Sequence, residues 1–318
     1  MISVVIPVHG NEENINPLIE RLEELRRSLN GALEVVFVVD GSPDASLKLL
    51  SQALPKVNFR AQLMNLSRNF GSFAALRAGM EAARGDYIAV IAADLQEPPE
   101  LVSKYYEQLK TGQCDVAVGE RLSRVDKGSG RIFSAIFWGL YRRFVQTEIP
   151  SGGVDTFACT KAVRDQLLRC DESNSSLIGL LFWVGFRRVS VPYDRTERQA
   201  GASTWTFSKR VRYLSNSVFS FTDLPVRLLL HIGLLGILLS VAFGIVVLVM
   251  KSINAIEVPG YTATVLLVTF FGGLNCFGLG LIGSYVWRAY ENTKRRPNYI
   301  VSSHDVFSPE ADGRDATP

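Results

Sequence analysis

Charged residues are scarce in this chain. Only 20% of its 318 residues are Asp, Glu, Lys or Arg, whereas soluble domains average about 25%. Hydrophobic residues account for 47% and the mean hydropathy is +0.14, a composition that excludes general disorder and argues against a purely soluble protein. The net charge of +3 is too small to indicate binding to nucleic acid.

Cysteine is also rare. The wide, uneven spacing of Cys114, Cys159, Cys170 and Cys276 matches neither a metal-binding motif nor a compact disulfide framework. We therefore expect buried, reduced thiols in a protein that faces the cytosol. The first apolar stretch ends at Pro7, too early for a signal peptide, and none is expected.

Long apolar runs, in contrast, occur twice near the C-terminus. Leu228–Met250 contains no Asp, Glu, Lys or Arg, and a second uncharged run extends from Val258 to Trp287. At about 1.5 Å per helical residue, either run can cross a hydrocarbon core about 30 Å thick. The pattern predicts transmembrane helices at 228–250 and 260–287. Two buried core helices are the alternative.

The charges around these runs predict their orientation. Positive residues lie before the first run and after the second. The connecting loop, in contrast, contains only two charged residues, Lys251 and Glu257. The positive-inside rule then places both termini in the cytoplasm and predicts a multi-pass protein of the inner (plasma) membrane. The polar residues Ser302–Pro318 are expected to form a frayed tail. The flanking positive residues are Lys209, Arg210, Arg212, Arg227, Arg288, Lys294, Arg295 and Arg296.

Residues 1–204 alternate short apolar runs with segments of helical periodicity. This order is typical of an α/β domain with a mostly parallel sheet and helices on both faces. Gly85 is expected to cap the third helix. The predicted strands are 3–6, 35–39, 87–92 and 116–118, and the predicted helices are 12–29, 45–54, 73–83 and 98–109.

The composition also predicts the division into domains. We expect a cytosolic domain at 1–204 and an amphipathic juxtamembrane segment at 205–227. The two spans then lie within 228–288, and a cytoplasmic tail occupies 289–318.

Polar residues follow three of the predicted strands, at the point where each strand ends. Pro7–Glu12 follows the first strand, Asp40-Gly-Ser the second, and Asp94-Leu-Gln the strand that begins at Tyr87. Ligands of open parallel sheets bind beyond the carboxyl ends of the strands. Asp94 and Gln96 offer two hard oxygen ligands that can hold one Mg²⁺ against a diphosphate. Taken singly, Asp40 is equally consistent with a turn-initiating residue, and an Asp-x-Gln pair carries little information.

Four motifs together carry a family resemblance: Ser3-Val-Val-Ile-Pro-Val-His, Val39-Asp-Gly-Ser-Pro-Asp, Leu66-Ser-Arg-Asn-Phe-Gly and Ala93-Asp-Leu-Gln-Glu-Pro-Pro-Glu. In this order they resemble glycosyltransferase family 2, whose catalytic domain has the Rossmann-like GT-A fold. With two C-terminal spans, the chain is similar to the polyprenyl-phosphate glycosyltransferases of that family, and to the GtrB-type glucosyltransferases in particular. The resemblance implies a GT-A domain followed by interfacial helices and two transmembrane helices.

The resemblance also implies roles for particular residues. Asp94 and Gln96 are implied to hold Mg²⁺ or Mn²⁺, although Ala92 stands where the family usually has a further aspartate. Asp155 is implied as catalytic together with Asp94, either positioning the sugar or assisting the acceptor. The implied nucleotide-sugar-binding residues are Pro7, Glu12, Asp40, Ser67, Arg68 and Arg198. The implied lipid-phosphate-binding residues are Arg121, Arg131, Ser134 and Ser203.

The chemistry of an acceptor phosphate agrees with these arginines, because arginine binds phosphate through charge-assisted, often bidentate hydrogen bonds. Basic amphipathic segments begin at Arg131 and Trp205. We expect both to be helices in an anionic membrane interface. Two ordinary surface helices are the alternative.

The expected activity is transfer of a hexose from a nucleotide sugar to polyprenyl (undecaprenyl) phosphate at the cytoplasmic face of the membrane. UDP-glucose is the favoured donor, and the resemblance implies inversion at the anomeric carbon and a role in lipopolysaccharide or O-antigen glycosylation. The expected partners are the bilayer, further copies of the chain as a homo-oligomer, a flippase and a downstream glycosyltransferase; nucleic acid is not expected.

One alternative is a non-catalytic, membrane-anchored nucleotide-sugar-binding or scaffold protein, suggested by Ala92. The other is a processive polysaccharide synthase, although the chain lacks a Gln-x-x-Arg-Trp signature.

Overall fold

A computed structural model describes residues 1–121, 149–150, 153–172, 176–195, 218, 222, 224–253 and 260–309. The chain divides into two compact units, one of Met1–Val211 with Pro297–Pro318 and the other of Arg212–Arg296. Four predicted site residues lie outside the described residues, as do the helix predicted from Arg131 and nearly all of the one predicted from Trp205. The four site residues are Arg131, Ser134, Arg198 and Ser203.

The first unit contains an eight-stranded mixed sheet of order β7-β5-β6-β4-β1-β2-β3-β8. Strands β4, β1, β2 and β3 run parallel, as do β5 and β7, whereas β6 and β8 run antiparallel to their neighbours. The strands are β1 (Ile2–Val8), β2 (Leu33–Val39), β3 (Arg60–Leu66), β4 (Tyr87–Val90), β5 (Val116–Arg121), β6 (Phe157–Thr160), β7 (Arg188–Tyr193) and β8 (Val301–Phe307).

Helices cover both faces of this sheet, as the sequence predicts. In β1, Ile2, Val4 and Ile6 point into the core that also contains α1 and α4. The opposite face packs against α3 so closely that a Cβ on Gly79 would lie 2.3 Å from Val5 Cγ1. The helices are α1 (Ile15–Ser28), α2 (Ser46–Ala53), α3 (Ser72–Ala82), α4 (Glu100–Lys110), α5 (Lys161–Arg169) and α6 (Leu177–Trp183), with short 3-10 helices at Glu12–Asn14 and Leu54–Lys56.

The predicted cap of the third helix is wrong. Helix α3 ends at Ala82, and its C-terminal capping residue is Ala83 in an extended conformation. Gly85 instead lies against β1, where its amide donates to Ser3 Oγ at 2.8 Å. A Cβ on Gly85 would lie 2.8 Å from the Ser3 backbone nitrogen, so a close approach to β1 requires glycine at this position.

The C-terminal residues differ most from expectation. The predicted frayed tail is wrong for Ser302–Phe307, because these residues form most of β8 and pair with β3. The Ser67 amide donates to the Ile300 carbonyl at 2.9 Å, and His304 Nε2 lies 2.8 Å from Gln62 Oε1. β8 is polar and largely exposed, so backbone pairing with the open edge of β3 stabilises it more than side-chain burial does.

The second unit contains two long helices, α7 (Leu224–Ser252) and α8 (Tyr261–Thr293). Within them, Pro225–Phe243 and Phe270–Thr293 are long and apolar enough to cross a membrane, judged by length and composition. Their described side chains are largely exposed, so neither behaves as the core helix of a soluble domain. Both are candidate membrane spans that overlap the two predicted ones.

Candidate active site

The carboxyl ends of the parallel strands bring most of the predicted site residues to one edge of the sheet. Pro7 lies near the end of β1, and Glu12 begins the short 3-10 helix that follows it. Asp40 directly follows β2, Ser67 and Arg68 follow β3, and Asp94 and Gln96 follow β4.

Asp40 anchors the loop at 67–71. Its side chain is buried, with Oδ1 accepting the Phe70 amide at 2.7 Å and Oδ2 accepting the Gly71 amide at 2.8 Å. Gly41, with a φ of +55°, packs directly against Arg68 and Asn69. The described contacts of Asp40 thus hold the loop that carries Ser67 and Arg68, and its contact with a nucleotide base stays a prediction.

His9 connects the segments that follow β1, β2 and β3, and it was not predicted as a site residue. Its Nδ1 lies 2.9 Å from the Asp40 carbonyl oxygen, and since a carbonyl only accepts, Nδ1 carries the hydrogen. Nε2 is then free to accept from Asn69 Nδ2 at 3.2 Å. The sequence signals were the position of His9 directly after β1 and its place at the end of the first family motif.

Glu12 joins the first two loops. Its Oε2 accepts the Ala45 amide at 2.9 Å, and its own amide donates to Asp44 Oδ2 at 3.0 Å. Burial pushes the pKa of Asp44 upwards, but hydrogen bonds from Ser42 and Ser46 outweigh it and hold the pKa below its usual value. These carboxylates therefore hold together the segments that follow β1 and β2 at the carboxyl edge of the sheet.

Asp94 and Gln96 form a strained turn after β4. Asp94 is only 9% exposed, and its Oδ1 accepts the Gln96 amide at 3.2 Å. Leu95 between them has a φ of +57°, a left-handed conformation that is unfavourable for leucine. Strain of this kind concentrates at functional sites.

The donor set of this turn fits a divalent cation. Asp94 and Gln96 provide two oxygen-bearing side chains, and Gln96 Oε1 also accepts from Arg195 Nη2 at 2.6 Å. Among the described residues there is no group of three His, Cys, Asp or Glu that could hold a metal alone. Mg²⁺ is commonly held by one or two carboxylates together with substrate phosphates, so these residues fit a cation whose coordination a diphosphate completes.

Glu97 lies directly beside this turn and was not predicted. It is 2% exposed, and its Oε1 lies 3.7 Å from Arg195 Nε. Burial raises the pKa of Glu97, the neighbouring Asp94 raises it further, and Arg195 and Arg121 only partly offset this. The signal available in the sequence was its place after Gln96 within the fourth family motif.

Asp155 and Arg121 form an ion pair at the same edge. Phe157 of β6 pairs with Val90 of β4 and with Val118 of β5, so Asp155, two residues upstream, lies near the carboxyl ends of both strands. The Asp155 side chain is 35% exposed and so remains open to a ligand. The structure thereby joins a predicted catalytic residue to a predicted phosphate-binding residue.

Residues 3–170 match the family described as "Glycosyl transferase family 2". The chain belongs to glycosyl transferase family 2. An uncharacterized glycosyltransferase of Synechocystis sp. is 33% identical over 95% of this chain and 94% of its own length. The family prediction is therefore confirmed, and the chain is a glycosyltransferase.

Two further relatives have more specific names. A bactoprenol glucosyl transferase of Shigella phage SfX is 30% identical over 95% of this chain and 99% of its own length. An undecaprenyl-phosphate 4-deoxy-4-formamido-L-arabinose transferase of Edwardsiella ictaluri is 28% identical over 95% and 93%. Together with the two candidate membrane spans, this full-length similarity indicates a membrane-associated protein.

The fold is that of a GT-A glycosyltransferase. The mannosyl-3-phosphoglycerate synthase from Rubrobacter xylanophilus superimposes with a TM-score of 0.50 at 16% identity, covering 69% of this chain and 71% of that one. This likeness concerns the fold alone. It agrees with the mixed sheet and its covering helices, so the predicted fold class is confirmed.

Proposed function

We propose that this glycosyltransferase transfers a hexose from a nucleotide sugar to a polyprenyl phosphate, with UDP-glucose as donor and undecaprenyl phosphate as acceptor. The ion pair of Arg121 with Asp155, at the same sheet edge as Asp94 and Gln96, carries the proposal. A guanidinium, which readily binds phosphate, and a carboxylate at this edge agree with a nearby turn suited to a diphosphate-bound cation. The full-length similarity to the bactoprenol and undecaprenyl-phosphate transferases supports the choice of acceptor.

On the donor side, the loops after β1, β2 and β3 bind the nucleotide, with Asp40 holding the 67–71 loop in place. Pro7, Glu12, Ser67 and Arg68 lie along these loops. Asp94 and Gln96 would hold Mg²⁺ or Mn²⁺, which would supply positive charge to the leaving diphosphate. We also assign Arg198 to the diphosphate.

On the acceptor side, Arg121 binds the phosphate of the lipid, with Arg131, Ser134 and Ser203 as its proposed partners. A phosphate monoester has a second pKa of about 6, so its oxygen is already a nucleophile at neutral pH. A strong general base is therefore unnecessary, and Asp155 positions the sugar or the acceptor. Attack on the anomeric carbon from the side opposite the diphosphate inverts its configuration.

A soluble donor and a membrane-bound acceptor must meet at headgroup level. We propose that residues 1–204 bring the donor and the acceptor together at the cytoplasmic face of the membrane. Residues 205–227 then dock on the bilayer, and residues 228–288 span it twice. Residues 289–318 then follow on the cytoplasmic side. We also propose that the chain forms a homo-oligomer, which passes its product to a flippase and a downstream glycosyltransferase.

Replacing Gly41 by alanine is expected to destabilise the protein and abolish nucleotide binding. The added Cβ would lie 2.4 Å from the backbone of Arg68 and Asn69, which cannot yield as a flexible side chain can. Alanine in the left-handed conformation, with a φ of +55°, lowers the free energy of unfolding by about a further 1–2 kcal/mol. Thermal unfolding and UDP calorimetry of the full chain in detergent measure both effects.

Gly31→Ala is the matched control. Gly31 has a φ of +79°, yet a Cβ there meets no atom within 4 Å. This variant should lose only the stability that the left-handed conformation costs an alanine, and it should keep its affinity for UDP. Equal UDP affinity in the two variants would show that the 67–71 loop is not part of the nucleotide site.

The proposed reaction is tested with membranes that contain the protein, undecaprenyl phosphate and a panel of radiolabelled nucleotide sugars, followed by lipid extraction. One donor, UDP-glucose by expectation, should label the lipid fraction, and a chelator of divalent cations should abolish the label. UDP binding without any labelled lipid would favour the non-catalytic binding protein that Ala92 suggests.

A further inference from the structure

Glu97 has no role in the reaction just described, yet it interacts with Asp94, Arg195 and Arg121, three charged residues of the proposed site. Both of its carboxylate oxygens are buried. The Ala92 backbone interacts weakly with the carboxylate, but neither oxygen accepts a hydrogen bond of ordinary geometry within the described part of the chain. Burying a carboxylate in this way is unfavourable unless positive charge lies close by. The position therefore requires a reason beyond packing.

Two arginines provide that positive charge. Arg195 Nε lies 3.7 Å from Glu97 Oε1, and Arg121 also interacts electrostatically with Glu97. The Nε atoms of both arginines are buried and, among the described residues, have no hydrogen-bond partner. Unsatisfied buried polar atoms are rare in native structures, so several of them at one place require an explanation, and a role in the site is one.

Each arginine has a second partner in the proposed site. Arg195 donates through Nη2 to Gln96 Oε1 at 2.6 Å, and Arg121 Nη2 pairs with Asp155 Oδ2. Glu97 therefore interacts with two guanidinium groups, one of which holds a proposed cation ligand and the other a proposed catalytic carboxylate. A single buried charge connects the donor and acceptor sides of the site.

We propose that Glu97 is a positioning residue, whose buried carboxylate holds Arg195 and Arg121 so that they present Gln96 and Asp155 at the sheet edge. The roles given to Gln96 and Asp155 rest on the proposed function. The placement of the two arginines does not.

Glu97→Gln removes the charge with little change in volume, Glu97→Asp keeps the charge on a shorter side chain, and Glu100→Gln is the matched control. Glu100 is an exposed glutamate of the same segment, paired with Arg21 at 2.7 Å. Structures of the full chain, thermal unfolding, UDP–Mn²⁺ binding and transfer kinetics are compared for the three variants and the wild type.

In Glu97→Gln we expect Arg195 to leave Gln96 and kcat to fall by about 10- to 100-fold, the usual effect of losing a residue that orients a ligand. The KM for the nucleotide sugar should change less than kcat. Thermal stability should also fall, because removing one partner of a buried charge pair leaves the arginine charges uncompensated, so the rates are compared at a temperature at which all variants are folded. Glu97→Asp should recover part of the rate, and Glu100→Gln should match the wild type.

Two results would overturn the proposal. In one, Arg195 and Arg121 keep their partners in the Glu97→Gln structure. In the other, activity falls only in proportion to a loss of thermal stability. A wild type that binds UDP and Mn²⁺ but glycosylates no polyprenyl phosphate would refute the proposed function, while the two structures still decide the role of Glu97.

Discussion

Asp94→Asn is expected to lower kcat/KM for sugar transfer by about 10³-fold, the upper range for loss of one group that stabilises transition-state charge. Asparagine keeps an oxygen that can accept the Gln96 amide, so the turn at Leu95 should survive. The negative charge that attracts a divalent cation is lost. Steady-state kinetics over a Mn²⁺ titration measure the effect, and the affinity for UDP should fall only when the cation is present.

Asp115→Asn is the control for this substitution. Asp115 precedes β5 at the opposite edge of the sheet and forms a bidentate pair with Arg187 at 2.9 and 3.0 Å. Its loss should leave transfer unchanged. Full activity of the wild type in EDTA would contradict the assignment of a cation to Asp94 and Gln96.

Asp155→Asn is expected to lower kcat by about 10²-fold, the lower range for a group that assists proton transfer or orients a reactant. The effect should not reach the upper range, because an ionised phosphate monoester needs no strong base. The affinity for UDP should change little, since the described contacts of Asp155 are with Arg121 rather than with the nucleotide loops. Transfer kinetics and UDP calorimetry separate the two effects.

Asp165→Asn tests whether any aspartate–arginine pair would give this result. Asp165 pairs with Arg164 at 2.7 Å on α5 and is half-exposed. It should keep wild-type kcat. An unchanged kcat in Asp155→Asn would instead show that the pair with Arg121 serves only the fold.

The central strands could be predicted from the sequence because they are apolar along their length. β1 and β2 are buried on both faces, and such strands read as continuous hydrophobic runs. The helical period of α1 was equally clear, with Leu18, Leu22 and Leu25 buried as expected. β3 was missed because its residues include the polar Gln62, whose amide is buried against Glu34.

The sequence alone determined the α/β class, the family and the position of Asp94 and Gln96 after a strand, since each depends on local apolar periodicity or on a short motif. The tertiary structure alone decided which distant residues complete the site. Arg121 and Tyr193 are paired in the parallel register of β5 and β7, which brings Arg195 to Gln96 and Glu97. The antiparallel insertion of β6 between β4 and β5 brings Asp155 to Arg121. Strand order and register arise from backbone hydrogen bonds summed over the whole sheet, and almost any residue type can form such bonds, so no local pattern encodes these contacts.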